Sequence, residues 1–185
     1  RAASFPHPVG SLRFPFIFTG CLSMERLFSP WRSQYIESFS NAAADDGRCV
    51  LCAAVESGDD AAHLVVLRGA ACYVIMNRDP YNSGHLMGVP YRHCSSLVDL
   101  PREDAAEAMA LLQRMMLVLQ SVSNPDGFNR VANIGRPAGA GIDQHVHMHL
   151  VPRWNGGTNF MPVLADTKMI SEDMLATYRK LRAQL

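Results

Sequence analysis

The run QHVHMHLVPRW, residues 144–154, sets imidazoles at alternate positions, His145, His147 and His149, with Val146, Met148 and Leu150 as the apolar residues between and after them. A period of two fits a strand and no helix, because successive side chains of a strand leave opposite faces. It predicts a strand over 145–154 that packs its apolar face and opens its histidine face to a cleft. Neighbouring members of the triad then stand about 6.6 Å apart at Cα, and the outer pair about 13 Å. With zinc–nitrogen bonds of about 2.0 to 2.1 Å, two neighbours can share an ion but all three cannot without distorting the strand. At least one histidine needs another role.

Burying three histidines as plain core would demand partners for six ring nitrogens, where Val or Ile would demand none. Chemistry explains the pattern better. A neutral imidazole is a nucleophile toward phosphorus, and its ordinary pKa near 6.5 keeps it largely unprotonated at neutral pH. The preceding loop, RPAGAGID, carries Gly139 and Gly141. Glycines there let backbone N–H groups approach a phosphate oxygen as a small anion nest.

The remaining chain supplies a sheet and two long helices. HLVVLRG (63–69) and ACYVIMNRD (71–79) read as a hairpin, and HLMGVPYRH (85–93) reads as a third strand, ending at Pro90 after the turn-rich PYNSG. FNRVANIG (128–135) reads as a fourth. Between Leu100 and Val122 a helix is predicted, with Pro101 near its first position and acids in its first turn. Ala105, Met109, Leu112, Met116 and Leu119 recur there at three- and four-residue steps, with the methionines as core filler. A last amphipathic helix is expected over 171–185, with Ser171 as N-cap. Strand, strand, strand, helix, strand, strand, helix with hairpin-length connections argues for an α+β fold, a five-stranded antiparallel sheet with a long central helix and a C-terminal helix.

Cys49 and Cys52 have metal-knuckle spacing, but a lone C-x-x-C is half a tetrahedral site and equally a redox pair. His63, His85, His93 and one end of the triad are the candidates to complete it. Cys72 and Cys94 read as buried small hydrophobes. An odd set of five cysteines at low density indicates a reducing compartment, taken as the cytoplasm. Seventeen basic against seventeen acidic residues give no bulk field to draw nucleic acid or an anionic membrane. The longest apolar run, FPFIFTGCL at 14–22, is broken by Pro15 and far short of the roughly 18 residues of a spanning helix. Residues 1–23 lack any acid and are expected to form a disordered leader, a signal-like segment being the alternative. Residues 24–185 are expected to form a single domain.

HVHMHLV, together with SPWRSQYI, CVLC, NRDPYNSGHLMGVPYRH, PDGFN and NGGTNFMPV, resembles the histidine triad (HIT) superfamily of nucleotidyl hydrolases and transferases over about 27–178. The similarity is to bacterial members near the dinucleoside polyphosphate phosphorylases and hydrolases. It implies a homodimer acting on an adenine nucleotide, with His147 as the nucleophile that takes the nucleotidyl group and His149 contacting phosphate and moving charge and protons. It further implies a structural zinc on Cys49, Cys52, His93 and His145, ribose contact by Asn77, and phosphate or leaving-group contact by Asn133. There are departures. Gly141 and Ile142 stand where many relatives have Gln and then Ser or Thr, and Gly157 stands where NGDTNF has an acid. These departures leave open a zinc-stabilised nucleotide-binding module with little turnover. A hydrolase whose triad holds a water-activating metal is a third expectation.

Overall fold

The structure, a computed structural model, describes residues 48–157 and 170–185, all within the compact unit Asn41–Leu185. The expected leader, the expected domain start at Met24, the segment SPWRSQYI and most of NGGTNFMPV lie outside the described residues.

Five strands form one antiparallel sheet in the order β1-β2-β3-β5-β4: β1 Val65–Arg68, β2 Cys72–Met76, β3 Leu86–Pro90, β4 Gly127–Val131 and β5 Met148–Arg153. β1 and β2 form the expected hairpin, closed by the Gly69 N–H donating to Cys72 O at 2.8 Å. The Glu107 carboxylate accepts from the Ala70 and Ala71 amides at 2.7 and 2.5 Å, which satisfies the turn's outward N–H groups. The α+β expectation holds.

The sheet has two covered faces, and alternation sorts the side chains between them. Val66, Cys72, Val74, Met76, Leu86, Met148 and Leu150 face the long helix, α3. Val65, Tyr73, Ile75, Met87 and Val89 face a short one, α1 (Val50–Glu56), through Leu51 and Ala54. Neither α1 nor the single turn α2 (Asp60–His63) was expected from the sequence. Seven and four residues are too few to establish a 3.6-residue period, and isolated helices of that length are unstable without tertiary packing.

α3 spans Arg102–Ser123, with Pro101 at its N-cap position rather than inside the first turn. Its buried side is Ala108, Leu112, Met115, Val118 and Leu119. Leu112 and Leu119 are buried as expected, whereas Ala105, Met109 and Met116 are only half-buried and Ala108, Met115 and Val118 fill the core beside them. AMALLQRMMLVL is apolar nearly all round, so its period could not choose between two adjacent faces. Leu112 rests on Gly88 of β3; a Cβ there would lie 3.1–3.2 Å from three Leu112 carbons. The last helix, α4 (Met174–Arg182), starts three residues later than expected. Asp173, not Ser171, caps it, accepting from the Ala176 amide at 2.9 Å. Tyr178 Oη and Arg182 tie α4 to β1 by donating to Val65 O and Val66 O.

Two strands are shorter than the alternation suggested. β4 stops at Val131 rather than continuing to Gly135. β5 begins at Met148, so only His149 of the triad sits in the ladder. His145 and His147 lead into it along a segment held by the Val146 N–H donating to Cys94 O at 2.7 Å. Cys72 is buried as expected, whereas Cys94 is half-buried.

Candidate active site and metal centre

Cys49 ends the approach to α1 and Cys52 lies in its first turn, three residues on, so the helix turns both thiols to one side. His93 follows the end of β3, and His145 precedes the start of β5, the strand paired with β3. Antiparallel pairing brings these two ends together. Cys49 Sγ and Cys52 Sγ lie 3.3 and 3.5 Å from His145 Nδ1, and Cys52 Sγ lies 3.4 Å from His93 Nδ1. All four donor atoms fall within 4.8 Å of one another. A tetrahedral zinc with bonds of about 2.3 Å to sulfur and 2.0–2.1 Å to nitrogen would need edges of roughly 3.3–3.8 Å, so the group fits.

The surrounding bonds prepare the ligands. His145 Nε2 is 2.9 Å from Pro90 O, an atom that only accepts, so the proton sits on Nε2 and Nδ1 faces the thiols with its lone pair. Burial holds the His145 pKa below the ordinary histidine value. Burial first, and then neighbouring Cys49, push the Cys52 thiol up to about 11, a cost that a divalent cation would reverse by drawing both groups to thiolate. His63 and His85, the other candidate ligands, are not in the cluster.

His147 and His149 lie beyond it, their rings edge to face with centroids 4.9 Å apart. His147 Nδ1 is 2.8 Å from the carbonyl oxygen of His145, so Nδ1 donates and, in the neutral ring, Nε2 keeps the lone pair. His149 is set the other way. Its Nδ1 is 2.9 Å from Nε2 of His85, and His85 Nδ1 accepts from the Tyr81 amide at 3.0 Å. That amide fixes the proton on His85 Nε2, which donates to His149 Nδ1. His149 therefore carries its own proton on Nε2. Burial, reinforced by His147, pushes the His149 pKa down to about 4, so this donor is neutral at physiological pH. All three rings are buried, His145, His147 and His149 being 1%, 5% and 4% exposed.

The reading from sequence missed His85 as part of this site. It is fully buried and stacks with Tyr81 at 4.8 Å between centroids. Its signal was a histidine set between a turn glycine and an apolar strand, where packing alone favours an aliphatic residue. Asn77 joins the same group: Nδ2 donates to His85 Nδ1 at 3.3 Å and Oδ1 accepts from the Asp79 amide at 2.9 Å. One end of its amide thus serves the histidine chain and the other the turn that follows.

β4 delivers the glycine loop to this region, since Val131 pairs with His149 across the ladder. Asn133 Nδ2 donates to Gly139 O at 3.4 Å. Gly135 and Gly139 take left-handed φ of 82° and 89° around a 3-10 turn, Arg136–Ala138. The Gly139 amide donates to Arg136 O at 2.9 Å and so belongs to the turn rather than to a nest. Gly141 is exposed with open space around it, and Ile142 packs toward the apolar cluster of α1. Arg136 Nε donates to Asp143 Oδ2 at 2.7 Å and closes the loop on itself.

Two rings side by side, one whose Nε2 keeps the lone pair in the neutral form and one whose Nε2 carries the proton, can attack an electrophile and hydrogen-bond the charge that develops on it. Comparison with known proteins agrees on the family. The HIT domain model matches residues 59–156. The AP-4-A phosphorylase of Mycobacterium tuberculosis is 37% identical over 166 residues, covering 87% of this chain and 84% of that protein. The adenosine 5'-monophosphoramidase of Saccharomyces cerevisiae is 28% identical over 114 residues, or 62% of this chain and 68% of that one. Among solved structures, a Zn-bound histidine triad family protein from Mycobacterium smegmatis matches with a TM-score of 0.60 and 29% identity, over 73% of this chain and 91% of that one. The chain belongs to the HIT domain family.

Proposed function

We propose that this protein is a nucleotidyl hydrolase or transferase that cleaves dinucleoside polyphosphates, or other conjugates of a nucleoside monophosphate, through a covalent nucleotidyl group on His147. The observation that carries the reading is the His147 Nδ1–H bond to His145 O, which leaves Nε2 as the free lone pair. Nε2 forms a bond to the α-phosphorus while the P–O bond to the leaving group breaks and its electron pair departs on that oxygen. The His149 Nε2–H donates to the phosphate oxygens as charge builds, and the His145 carbonyl steadies the positive ring of the adduct. Water or orthophosphate then attacks phosphorus, the P–N bond breaks, and its pair returns to Nε2. A proton from attacking water passes to solvent. Adenine as the base is supported by the two relatives, one named for AP-4-A and one for an adenosine phosphoramidate.

Cys49, Cys52, His93 and His145 would hold a zinc ion that ties three segments together and, with four protein ligands, takes no substrate. A homodimer is supported by the exposed edge strand β4, where Val131 and nearby Ile134 are 45% and 43% exposed. Four free cysteines among the described residues are consistent with a reducing cytoplasm.

The test is to mix the protein with diadenosine tetraphosphate labelled at the α-phosphates and denature it rapidly at alkaline pH. Label is expected on wild type and none on His147→Ala, whose turnover should fall by at least 10³-fold. An unlabelled wild type beside a fully active His147→Ala protein would overturn the reading. A second reading, a nucleotide-binding module with little turnover, is favoured by the Gly139 amide being engaged and by Ile142 offering no hydroxyl. It expects nucleotide binding without product.

A further inference from the structure

We propose that Arg136 selects for a polyanionic leaving group, exchanging its bond to Asp143 for one to the phosphates beyond the scissile bond; this rests on the reading of His147 as nucleophile. The histidine site itself is poor in positive charge. Tyr73, Ile75, Met87 and Val89, the described side chains that β2 and β3 set on the same face of the sheet, carry none. A nucleoside monophosphate joined to an amine needs little more. One joined to two or three further phosphates brings several extra negative charges that these apolar neighbours cannot balance.

Arg136 stands where such charge would emerge. Its loop leaves β4 just past Val131, the residue paired with His149, and returns at Asp143, four residues before His147. The side chain is 80% exposed, and the bond to Asp143 uses Nε, which leaves the terminal nitrogens of the guanidinium facing outward. An exposed pair of this kind contributes little, about 0–1 kcal/mol, so breaking it opposes substrate weakly. Arginine meets phosphate bidentately and more strongly than most donors.

The experiment compares wild type and Arg136→Gln on diadenosine tetraphosphate and on adenosine 5'-phosphoramidate, whose leaving group is uncharged ammonia. The variant should lose about tenfold or more in kcat/KM on the tetraphosphate and less than threefold on the phosphoramidate. Asp143→Asn, which breaks the same ion pair but keeps the guanidinium, should retain full tetraphosphate activity. Equal losses on both substrates, or the same loss in Asp143→Asn, would show that the pair only shapes the loop and would sink the proposal. Equilibrium binding of adenosine 5'-tetraphosphate and of AMP separates this idea from the function it rests on. If wild type turns over neither substrate the nucleophile reading fails. A selective loss of tetraphosphate affinity in Arg136→Gln then still supports the role of Arg136, and unchanged affinity overturns it.

Discussion

A histidine does chemistry only in the tautomer that its neighbours impose, and each imidazole here has one nitrogen committed to an identified partner. Pro90 O takes the His145 Nε2 proton, His145 O takes the His147 Nδ1 proton, and the Tyr81 amide, through His85, fills His149 Nδ1. On the proposed function, these contacts divide one residue type into a ligand, a nucleophile and a donor. A pH consequence belongs to His149. Burial lowers its folded pKa to about 4, while an unfolded histidine titrates near 6.5. Between those values the unfolded chain binds the proton better, so this ring's contribution to stability is whole above about pH 6.5 and is lost as pH falls toward 4. His149→Gln should therefore flatten the decline in unfolding free energy between pH 7 and 5, by at most about 2 kcal/mol. Denaturant melts at stepped pH measure this, and identical slopes for the two proteins would contradict the burial argument.

At the level of elements, the decisive contact is α3 on β3. Leu112 is fully buried against Gly88, and no side chain fits between them. Gly88→Ala should cost about 1–3 kcal/mol of stability, because the added methyl meets a branched side chain in a filled core. Leu112→Ala alone should cost about 2–5 kcal/mol by leaving a cavity. The double variant should be less destabilised than the sum of the two, since each change relieves the other. Chemical unfolding of the four proteins completes the cycle, and strict additivity would mean that Gly88 and Leu112 do not press on each other.

For the whole molecule, the four-residue cluster is a long-range clamp. It joins the start of α1 to the ends of β3 and β5, across separations of 41, 93 and 96 residues. A zinc held there would stabilise the folded chain alone, because the unfolded chain has no preformed site. Removing it with a strong chelator should lower the melting temperature by 10 °C or more, on the order of several kcal/mol, and release about one zinc per chain. Activity should fall only in step with unfolding, since the proposed nucleophile and donor, His147 and His149, stand outside the four-residue cluster. Full loss of turnover in a chelated protein that remains folded would favour a catalytic metal.

Much of this was written locally. The alternation of imidazoles announced a strand and a surplus histidine, the C-x-x-C announced half a metal site, and the three- and four-residue periods announced the long helix, because such patterns need only neighbours within a turn or a pleat. The resemblance of HVHMHLV and its companion segments then assigned roles to individual residues. Other features depended on pairing between distant segments. That His93 rather than His63 or His85 meets the thiols follows from β3 lying beside β5. That His85 instead fixes the tautomer of His149, that Asn77 serves that chain, and that α1 forms at all follow from which buried surfaces meet. Sequence by itself determined which chemistry was available. Tertiary structure decided which nitrogen of each ring performs it, because a proton's place is set by partners up to 64 residues away.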